Sequence, residues 1–452
     1  MSTTMTNIQW PNAGRVHLAN VNVPRGLIAT AFEHSSGSSF SAVDLVVDAG
    51  KIAEILPAGS PVDGILIDAD GGQCWPTFAD LHTHLDKGHI LPRAQNPDGT
   101  IVSARSQVRA DTGSYWRMED VEARFEFAMM CAYAHGTSAI RTHIDCHVHN
   151  QEHISFDVFR RLRDRWEGRI ELQAVALVST ELYDNAYSAS IIDLVQQSGG
   201  ILGGVTLRLS DSEETGPLDE RLDRLFNLAR ARHMDIDLHV DENGAAASTT
   251  LAQIAQAVIR NEFKGRVVCG HCCSLSAQDD AVAARTIQLV KDAGITIVSL
   301  PLVNQYLQGR LPEATPRWRG IPLLRELQAA GVPVALASDN CRDPYHLFGD
   351  LDLLEVLGSG IRLGHLDVDL SPWPGAITDR PFEAMGVEGG TLRAGASANL
   401  VLFRERSYDE LFARHGADRI VIRNGKRIDA TPPDYRMLDH LFHPGIAKRN
   451  VD

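Results

Sequence analysis

Short apolar runs rich in β-branched residues recur along the middle of the chain, and longer amphipathic segments separate them. With His82 and Asp339 marking the first and last run, the seven intervals average about 37 residues, the length of one strand-loop-helix-loop unit. Eight such units predict a (β/α)8 barrel, and a doubly wound open sheet is the alternative. The runs lie near 78–81, 138–144, 172–178, 203–209, 236–240, 266–269, 295–300 and 332–337.

The segments between these runs carry apolar residues at helical spacing among charges, which predicts helices. Glycines follow three of them, at Gly136, Gly294 and Gly331, as expected of C-caps that release the chain into the next strand. The predicted helices lie at 121–134, 218–232, 277–293 and 323–330.

Both chain ends are rich in short strand-like runs and turns, and Asn424-Gly425 is a hairpin signal. We therefore predict a small β-sandwich domain built from both ends, residues 1–72 and 390–452, around a barrel of residues 73–389. The segment after Thr431 is predicted to wrap either this subunit or another. The runs lie at 16–21, 42–47, 51–56, 398–403 and 419–421.

The connection after the first barrel run is unusually long, and its excess lies in residues 88–116. Such a length is atypical of a plain connection, so we predict an active-site lid there. Arg93, Arg105 and Arg109 lie in this segment and are candidates to bind a carboxylate on a substrate.

Charge and cysteine content narrow the class of protein. The 452 residues include 43 Lys and Arg against 58 Asp and Glu, a formal charge of -15. Nucleic acid and anionic membranes are therefore disfavoured as partners. We find neither a run of about 20 apolar residues nor a signal-peptide pattern, which predicts a cytoplasmic protein. Seven cysteines at irregular spacing predict reduced thiols.

Histidines and acidic residues end several of the predicted strands. In His82-Thr83-His84, alternate side chains share one strand face, so both imidazoles can point into the barrel at its C-terminal mouth. Two histidines from one strand, a third from the opposite wall and one carboxylate suit a single divalent ion with a position left for water. By itself, the His-x-His pair is equally consistent with packed core histidines. The further strand ends carry His239 with Glu242, His271, and Asp339.

These residue types suggest hydrolysis at a C–NH2 carbon. A divalent ion lowers the pKa of its bound water toward neutrality and so supplies hydroxide. Asp339 can contact both ion and water, His271 can polarise the water, and Glu242 can protonate a ring nitrogen of a substrate. Protonation makes the neighbouring carbon electrophilic, and the amine then leaves as ammonia.

The sequence resembles the amidohydrolase superfamily and, within it, the cytosine deaminase-like aminohydrolases. This resemblance implies His82, His84, His239 and Asp339 as ligands of one divalent ion, zinc or iron. It also implies Glu242 as proton shuttle and His271 as the group that polarises water. The fourth strand, predicted at 203–209, lacks the lysine that two-metal members use. The motifs that carry the resemblance are Phe78-Ala79-Asp80-Leu81-His82-Thr83-His84-Leu85-Asp86, Arg141-Thr142-His143-Ile144-Asp145, His239-Val240-Asp241-Glu242, His271, Pro301-Leu302-Val303-Asn304 with Leu307-Gln308-Gly309-Arg310, and Ser338-Asp339-Asn340.

The predicted ring-binding residues depart from the cytosine deaminase pattern. Ser179 stands where a ring-reading Gln is expected, and Asn340 stands where a second Asp is expected. With Gln308 and Lys87 they form the predicted substrate contacts. We expect a heterocyclic small molecule such as cytosine, isocytosine or a pterin, and a homo-oligomeric enzyme. The alternatives are a hydrolase of a triazine N-alkylamine or a cyclic amide, and a non-catalytic ligand-binding barrel.

Overall fold

The structure of the chain is a computed structural model. It describes residues 9–11, 13–29, 38–148, 151–183, 186–206, 217–414 and 418–442. Within these ranges, no helix combines the length and the apolar character that a membrane span requires.

The strands, numbered in chain order, are β1 (Val16–Pro24), β2 (Phe40–Asp48), β3 (Lys51–Pro57), β4 (Ile65–Asp68), β5 (Gln73–Pro76), β6 (Phe78–Thr83), β7 (Thr137–Asp145), β8 (Glu171–Leu177), β9 (Leu202–Val205), β10 (Ile236–Val240), β11 (Val267–His271), β12 (Thr296–Ser299), β13 (Val334–Leu336), β14 (Leu400–Phe403), β15 (Ile420–Arg423) and β16 (Lys426–Arg427).

The α-helices are α1 (Ile101–Tyr115), α2 (Met118–Ala134), α3 (Gln151–Arg165), α4 (Ala186–Gln197), α5 (Leu218–Arg232), α6 (Thr250–Arg260), α7 (Asp280–Asp292), α8 (Pro301–Leu307), α9 (Leu324–Ala330), α10 (Leu353–Gly364), α11 (Asp379–Met385), α12 (Tyr408–Arg414) and α13 (Asp439–Phe442). Short 3-10 helices lie at Arg25–Leu27, Thr180–Leu182, Cys273–Ala277, Leu366–Val368, Pro374–Ile377 and Tyr435–Leu438.

Strands β6 to β13 form the predicted (β/α)8 barrel. One sheet has the order β13-β12-β11-β10-β9 and a second has the order β6-β7-β8. Bridges Val175↔Ile201 and Ser179↔Val205 join the two sheets on one side, and Thr83↔Asp339 joins the first strand to the last on the other. The open-sheet alternative is wrong, because an open sheet leaves its edge strands unpaired. The last residues of the predicted fourth strand, 207–209, lie outside the described residues.

The chain divides into two compact units. One unit comprises residues 1–79, 132–139 and 352–432, and the other comprises 80–131, 140–351 and 433–452. In the first unit, strands from both chain ends share one sheet of order β16-β15-β14-β5-β1-β2-β3, with β4 paired to β1. The β15–β16 hairpin turns at Asn424 and Gly425, whose φ values of 49° and 72° are those of the tight turn predicted there. The predicted domain boundaries at residues 72 and 389 stay a prediction.

The long first connection contains helix α1, which occupies half of it, and the role of this segment as an active-site lid stays a prediction. The side chain of Thr100 accepts a hydrogen bond from the Ser103 N–H and so caps the helix. Ala104 and Val108 are buried on one helix face, whereas Val102 is exposed. The polar residues around this narrow apolar stripe hide the helical period, which explains why no helix was predicted in this segment.

The described part of the C-terminal tail packs on the unit that contains the barrel. Leu438 is buried against Phe127 and Cys131. The Tyr435 hydroxyl donates to Asp350, at 2.9 Å. Residues 443–452, which the tail prediction also covered, lie outside the described residues.

All seven cysteines are buried and none forms a disulfide, in agreement with the predicted reduced state.

Candidate active site

Strand β6 brings His82 and His84 to the carboxyl end of the barrel. Both side chains are buried, with 0% and 3% exposure. The carboxylate of Asp80 accepts hydrogen bonds from the Ser338 N–H and hydroxyl, which ties the first strand to the end of the last. The imidazole of His84 donates from Nδ1 to the His143 carbonyl, at 3.2 Å, and this leaves the Nε2 lone pair free.

Four ligand-type side chains converge there, as the sequence predicted. The Asp339 Oδ1 atom lies 3.1 Å from His84 Nε2 and 3.7 Å from His82 Nε2. The Nε2 atoms of His239 and His84 are 3.4 Å apart. Donor atoms about 2.1 Å from a common tetrahedral ion are separated by about 3.4 Å. The spacing therefore fits one small cation held by His82, His84, His239 and Asp339.

Several polar side-chain atoms of this cluster lack a hydrogen-bond partner in the described part of the chain. Within the described residues, both ring nitrogens of His82 and both carboxylate oxygens of Asp339 are buried without a hydrogen bond. Burial lowers the pKa values of His82, His84 and His239 well below the usual range, so the imidazoles are neutral. Neutral imidazoles and an unsatisfied carboxylate are the form in which these residues bind a metal.

Two other groups of three residues also have ligand atoms within 4.8 Å of one another. They are His82–His239–His271 and His82–His143–Asp237. In the second, Asp237 is already paired with Arg141, with 2.9 Å between Nη1 and Oδ2. The His143 ring packs 3.9 Å from that of His82. We therefore assign His143 to the support beneath the site and not to the ligand set.

Glu242 and His271 lie side by side next to this cluster, 3.5 Å apart between Oε1 and Nδ1. Burial, with the charge of Asp339, raises the pKa of Glu242 to about 8. Burial lowers the pKa of His271 to about 4. The Asn304 amide nitrogen donates to His271 Nδ1 at 3.0 Å, so the ring carries its proton on Nε2, which is buried without a partner.

The cavity above these groups is lined from several barrel strands and from α1. Leu177 and Val205 contribute apolar wall, and Ile101, Arg105, Val108 and Arg109 contribute the face of α1. Of the three arginines named from sequence, Arg105 and Arg109 reach the cavity, although from a helix. Arg93 is absent from this lining and pairs instead with Asp111 and Asp120. Tyr345 also lines it, and the sequence analysis missed this residue because an aromatic residue in a loop has no distinguishing pattern.

Of the four predicted substrate contacts, the structure brings two to the cavity wall. Lys87 and Asn340 line the cavity. Ser179 is absent from this lining, and its hydroxyl instead accepts from the Glu181 N–H, at 3.3 Å. The Gln308 side chain donates to the backbone carbonyl of Glu242, at 3.2 Å, and so supports the residue predicted to move the proton.

A (β/α)8 barrel with this cluster at the carboxyl ends of its strands has the architecture of a metal-dependent enzyme. The chain belongs to the amidohydrolase family, whose model matches residues 123–429. It is thus a hydrolase that acts on carbon–nitrogen bonds, and this membership favours the predicted enzyme over a non-catalytic barrel.

Two sequence relatives and one solved structure are similar to the chain over most of its length. The chain is 48% identical over 435 residues to a pterin deaminase of Rhizobium rhizogenes, covering 96% of this chain and 98% of the relative. It is 26% identical to N-isopropylammelide isopropyl amidohydrolase of Pseudomonas sp., covering 85% of this chain and 94% of the relative. The crystal structure of 5-methylcytosine deaminase from Klebsiella pneumoniae aligns with a TM-score of 0.77 at 23% identity, over 92% of this chain and 97% of that one. This last likeness shows the fold alone.

Proposed function

We propose that the protein hydrolytically deaminates an amino-substituted nitrogen heterocycle of the pterin type. The observation that carries the proposal is the convergence of His82, His84, His239 and Asp339 beside a protonated Glu242. The 48% identity with a pterin deaminase supports the substrate class.

One divalent ion, zinc or iron, would be held by the three histidines and Asp339. When bound, such an ion lowers the pKa of water and makes it a nucleophile at neutral pH. Asp339 keeps a second carboxylate oxygen without a protein partner, and this oxygen accepts the proton that the attacking water loses.

Glu242 supplies a proton to the substrate. Its pKa near 8 keeps the carboxyl group protonated at neutral pH, so it can donate to the ring nitrogen beside the C–NH2 carbon. That proton makes the carbon more electrophilic. His271, neutral and with its proton on Nε2, donates a hydrogen bond toward the oxygen that is adding to this carbon.

Completion of the reaction needs one C–N bond to break. The water oxygen becomes bonded to the carbon, the amino nitrogen takes up the proton held by Asp339, and ammonia leaves. The product ring carries a carbonyl where the substrate carried the amine. As this carbonyl forms, the second proton of the water returns to Glu242, so both carboxyl groups regain their starting states.

The proposal is tested by ammonia release from pterins, aminopyrimidines and aminotriazines with metal-loaded protein. Pterins are expected to be the best substrates. A second candidate, hydrolysis of an N-alkylamine on a triazine, is suggested by the 26% identity with the Pseudomonas enzyme, and N-isopropylammelide belongs in the same panel. Turnover of that compound with none of the pterins would refute the proposal.

A further inference from the structure

The loop after β13 contains a buried carboxylate that binds three donors. The Asp343 Oδ1 atom accepts from the backbone N–H groups of Tyr345 and His346, at 2.8 and 3.1 Å. Its Oδ2 accepts from the Asn340 amide nitrogen at 2.6 Å. Asp343 is 0% exposed and Asn340 is 4% exposed.

The chemistry of this carboxylate fixes the orientation of the amide. Burial raises the pKa of Asp343 to about 6, so the group is ionised at neutral pH and can only accept hydrogen bonds. Asn340 must therefore turn its NH2 group toward Asp343. Its Oδ1 is left for the cavity, which Asn340 lines.

The ammonium group of Lys87 supplies a hydrogen-bond donor on the same cavity wall. Lys87 is 4% exposed, and its Nζ lies 4.8 Å from the centre of the Tyr345 ring. Burial opposes the charge of Lys87, but the surrounding groups, which include Asp145 and Asp343, outweigh it and raise the pKa. Among the residues that the structure describes, no carboxylate lies within 4.0 Å of this ammonium group. Its donors are therefore available to a ligand.

We infer that Asp343 is a positioning residue that holds Asn340 so that the cavity wall recognises a ring lactam. Asn340 Oδ1 accepts from a ring N–H, and Lys87 Nζ donates to the adjacent ring carbonyl. The inference rests on the proposed deamination and narrows its substrate to amino heterocycles that also carry a –NH–C(=O)– edge. This recognition comes from the segments that follow the first and last barrel strands, and it replaces the contact that was expected of Ser179.

Two pteridines that differ only at this edge provide the test. Pterin, with a 2-amino and a 4-oxo group, presents a ring N–H beside a carbonyl, whereas 2,4-diaminopteridine presents a bare ring nitrogen beside an amino group. A site built to bind the first pattern leaves buried groups unpaired with the second. We expect wild-type protein to bind pterin at least about 100-fold more tightly, measured by quenching of pteridine fluorescence with and without metal.

Asp343→Asn changes the group that Asn340 presents to the cavity from a hydrogen-bond acceptor to a donor, and the side chain at position 343 keeps its shape. The new side chain can still accept from Tyr345 and His346 through its oxygen, but its amide nitrogen forces Asn340 to present NH2 to the cavity. The preference for pterin is expected to fall at least about 10-fold, mainly through weaker pterin binding. Asn340→Ala leaves the Asp343 turn in place and should lose the preference similarly. Asp279→Asn, which alters a carboxylate that caps α7, serves as control and should leave the preference unchanged.

Equal weakening of both ligands by Asp343→Asn would overturn the inference, since a merely structural role predicts that result. Equal binding of both ligands by the wild-type protein would overturn it as well. Ammonia release is scored separately from binding. The preference for pterin could fall in Asp343→Asn as expected while the wild-type protein releases no ammonia. That result would refute the proposed deamination and support the inference.

Discussion

At the scale of single residues, burial sets the protonation states that the proposed chemistry needs. It raises the pKa of Glu242 to about 8 and lowers that of His271 to about 4, so both are uncharged near pH 7. Their types and their places at strand ends are visible in the sequence. Their pKa values are not, because desolvation depends on neighbours from the whole barrel.

Glu242→Gln removes the proposed proton donor at nearly constant volume. We expect kcat for pterin to fall about 100- to 10,000-fold, with little change in the binding of pterin. Steady-state kinetics and fluorescence titration measure the two quantities. Glu326→Gln, an exposed change on α9, should retain wild-type kinetics. A Glu242→Gln enzyme of unchanged kcat would show that another group moves the proton.

At the scale of elements, α1 forms one wall of the cavity and is tied to neighbouring segments by ion pairs. Arg93 binds Asp111 near the end of α1 and also Asp120 on α2, with N–O distances of 2.7 and 2.6 Å. Asp120 in turn binds the fully buried Arg124, which donates to the Asp86 and Gly88 carbonyls. This chain of charges links the helix that carries Arg105 and Arg109 to the segment after His84.

Asp120→Asn should weaken this link and lower the free energy of unfolding by about 3–5 kcal/mol at pH 7, since it leaves buried arginines short of a counter-charge. Asp223→Asn, which breaks an exposed pair with Arg260, should cost less than about 1 kcal/mol. Urea unfolding of the metal-free proteins measures both. Similar values for the two variants would contradict the assigned role of Asp120.

The ion pairs of Asp120 with Arg93 and Arg124 make the free energy of unfolding depend on pH. Burial alone would raise the pKa of Asp120, but the hydrogen bonds and charges of Arg93 and Arg124 outweigh it, and the net shift is downward. A carboxylate whose pKa is depressed on folding stabilises the folded state at pH values above the pKa that it has in the unfolded chain. The stability gap between wild type and Asp120→Asn should therefore be full at pH 7 and close as the pH falls below about 4. A gap that widened on acidification would have the wrong sign.

Strand β9 is held close to its neighbours by glycine. A Cβ on Gly203 would lie 2.3 Å from the Val175 side chain and 2.6 Å from the Ala176 carbonyl. Gly203→Ala should thus cost about 1–3 kcal/mol of stability through overpacking. Gly113→Ala in α1 meets nothing within 4 Å and should stabilise by up to about 1 kcal/mol. Thermal unfolding tests the contrast, and equal shifts for both variants would refute it.

At the scale of the whole molecule, the candidate metal cluster couples strands that are far apart in the chain. Three neutral imidazoles and a carboxylate at the ends of the first, fifth and eighth barrel strands face each other. Within the described residues, the His82 ring nitrogens and the Asp339 carboxylate oxygens are buried without a hydrogen-bond partner. A ligand that binds only this folded arrangement stabilises it by mass action. The predicted homo-oligomeric state is a separate matter and stays a prediction.

Removal of divalent metal by a chelator should abolish deamination and lower the melting temperature, and added zinc or iron should restore both. His239→Ala should lose the metal-dependent shift in melting temperature, because one of four ligands is gone. His17→Asn, at a buried histidine paired with Asp44 in the other unit, should keep that shift. Calorimetry with and without chelator makes the comparison, and a shift that survived in His239→Ala would place the ion elsewhere.

The sequence by itself determined the repeating unit of the barrel and the residue types at its strand ends. Both are local: the alternation along β6 places His82 and His84 on one face, and an interval of about 37 residues returns the chain to the same end of the barrel. Tertiary structure decided what each candidate contacts. It committed the Ser179 hydroxyl to a cap, made a helix of 101–115 and turned the Asn340 amide toward Asp343. Such choices depend on contacts like that of Asp80 with Ser338, 258 residues apart, which no local pattern records.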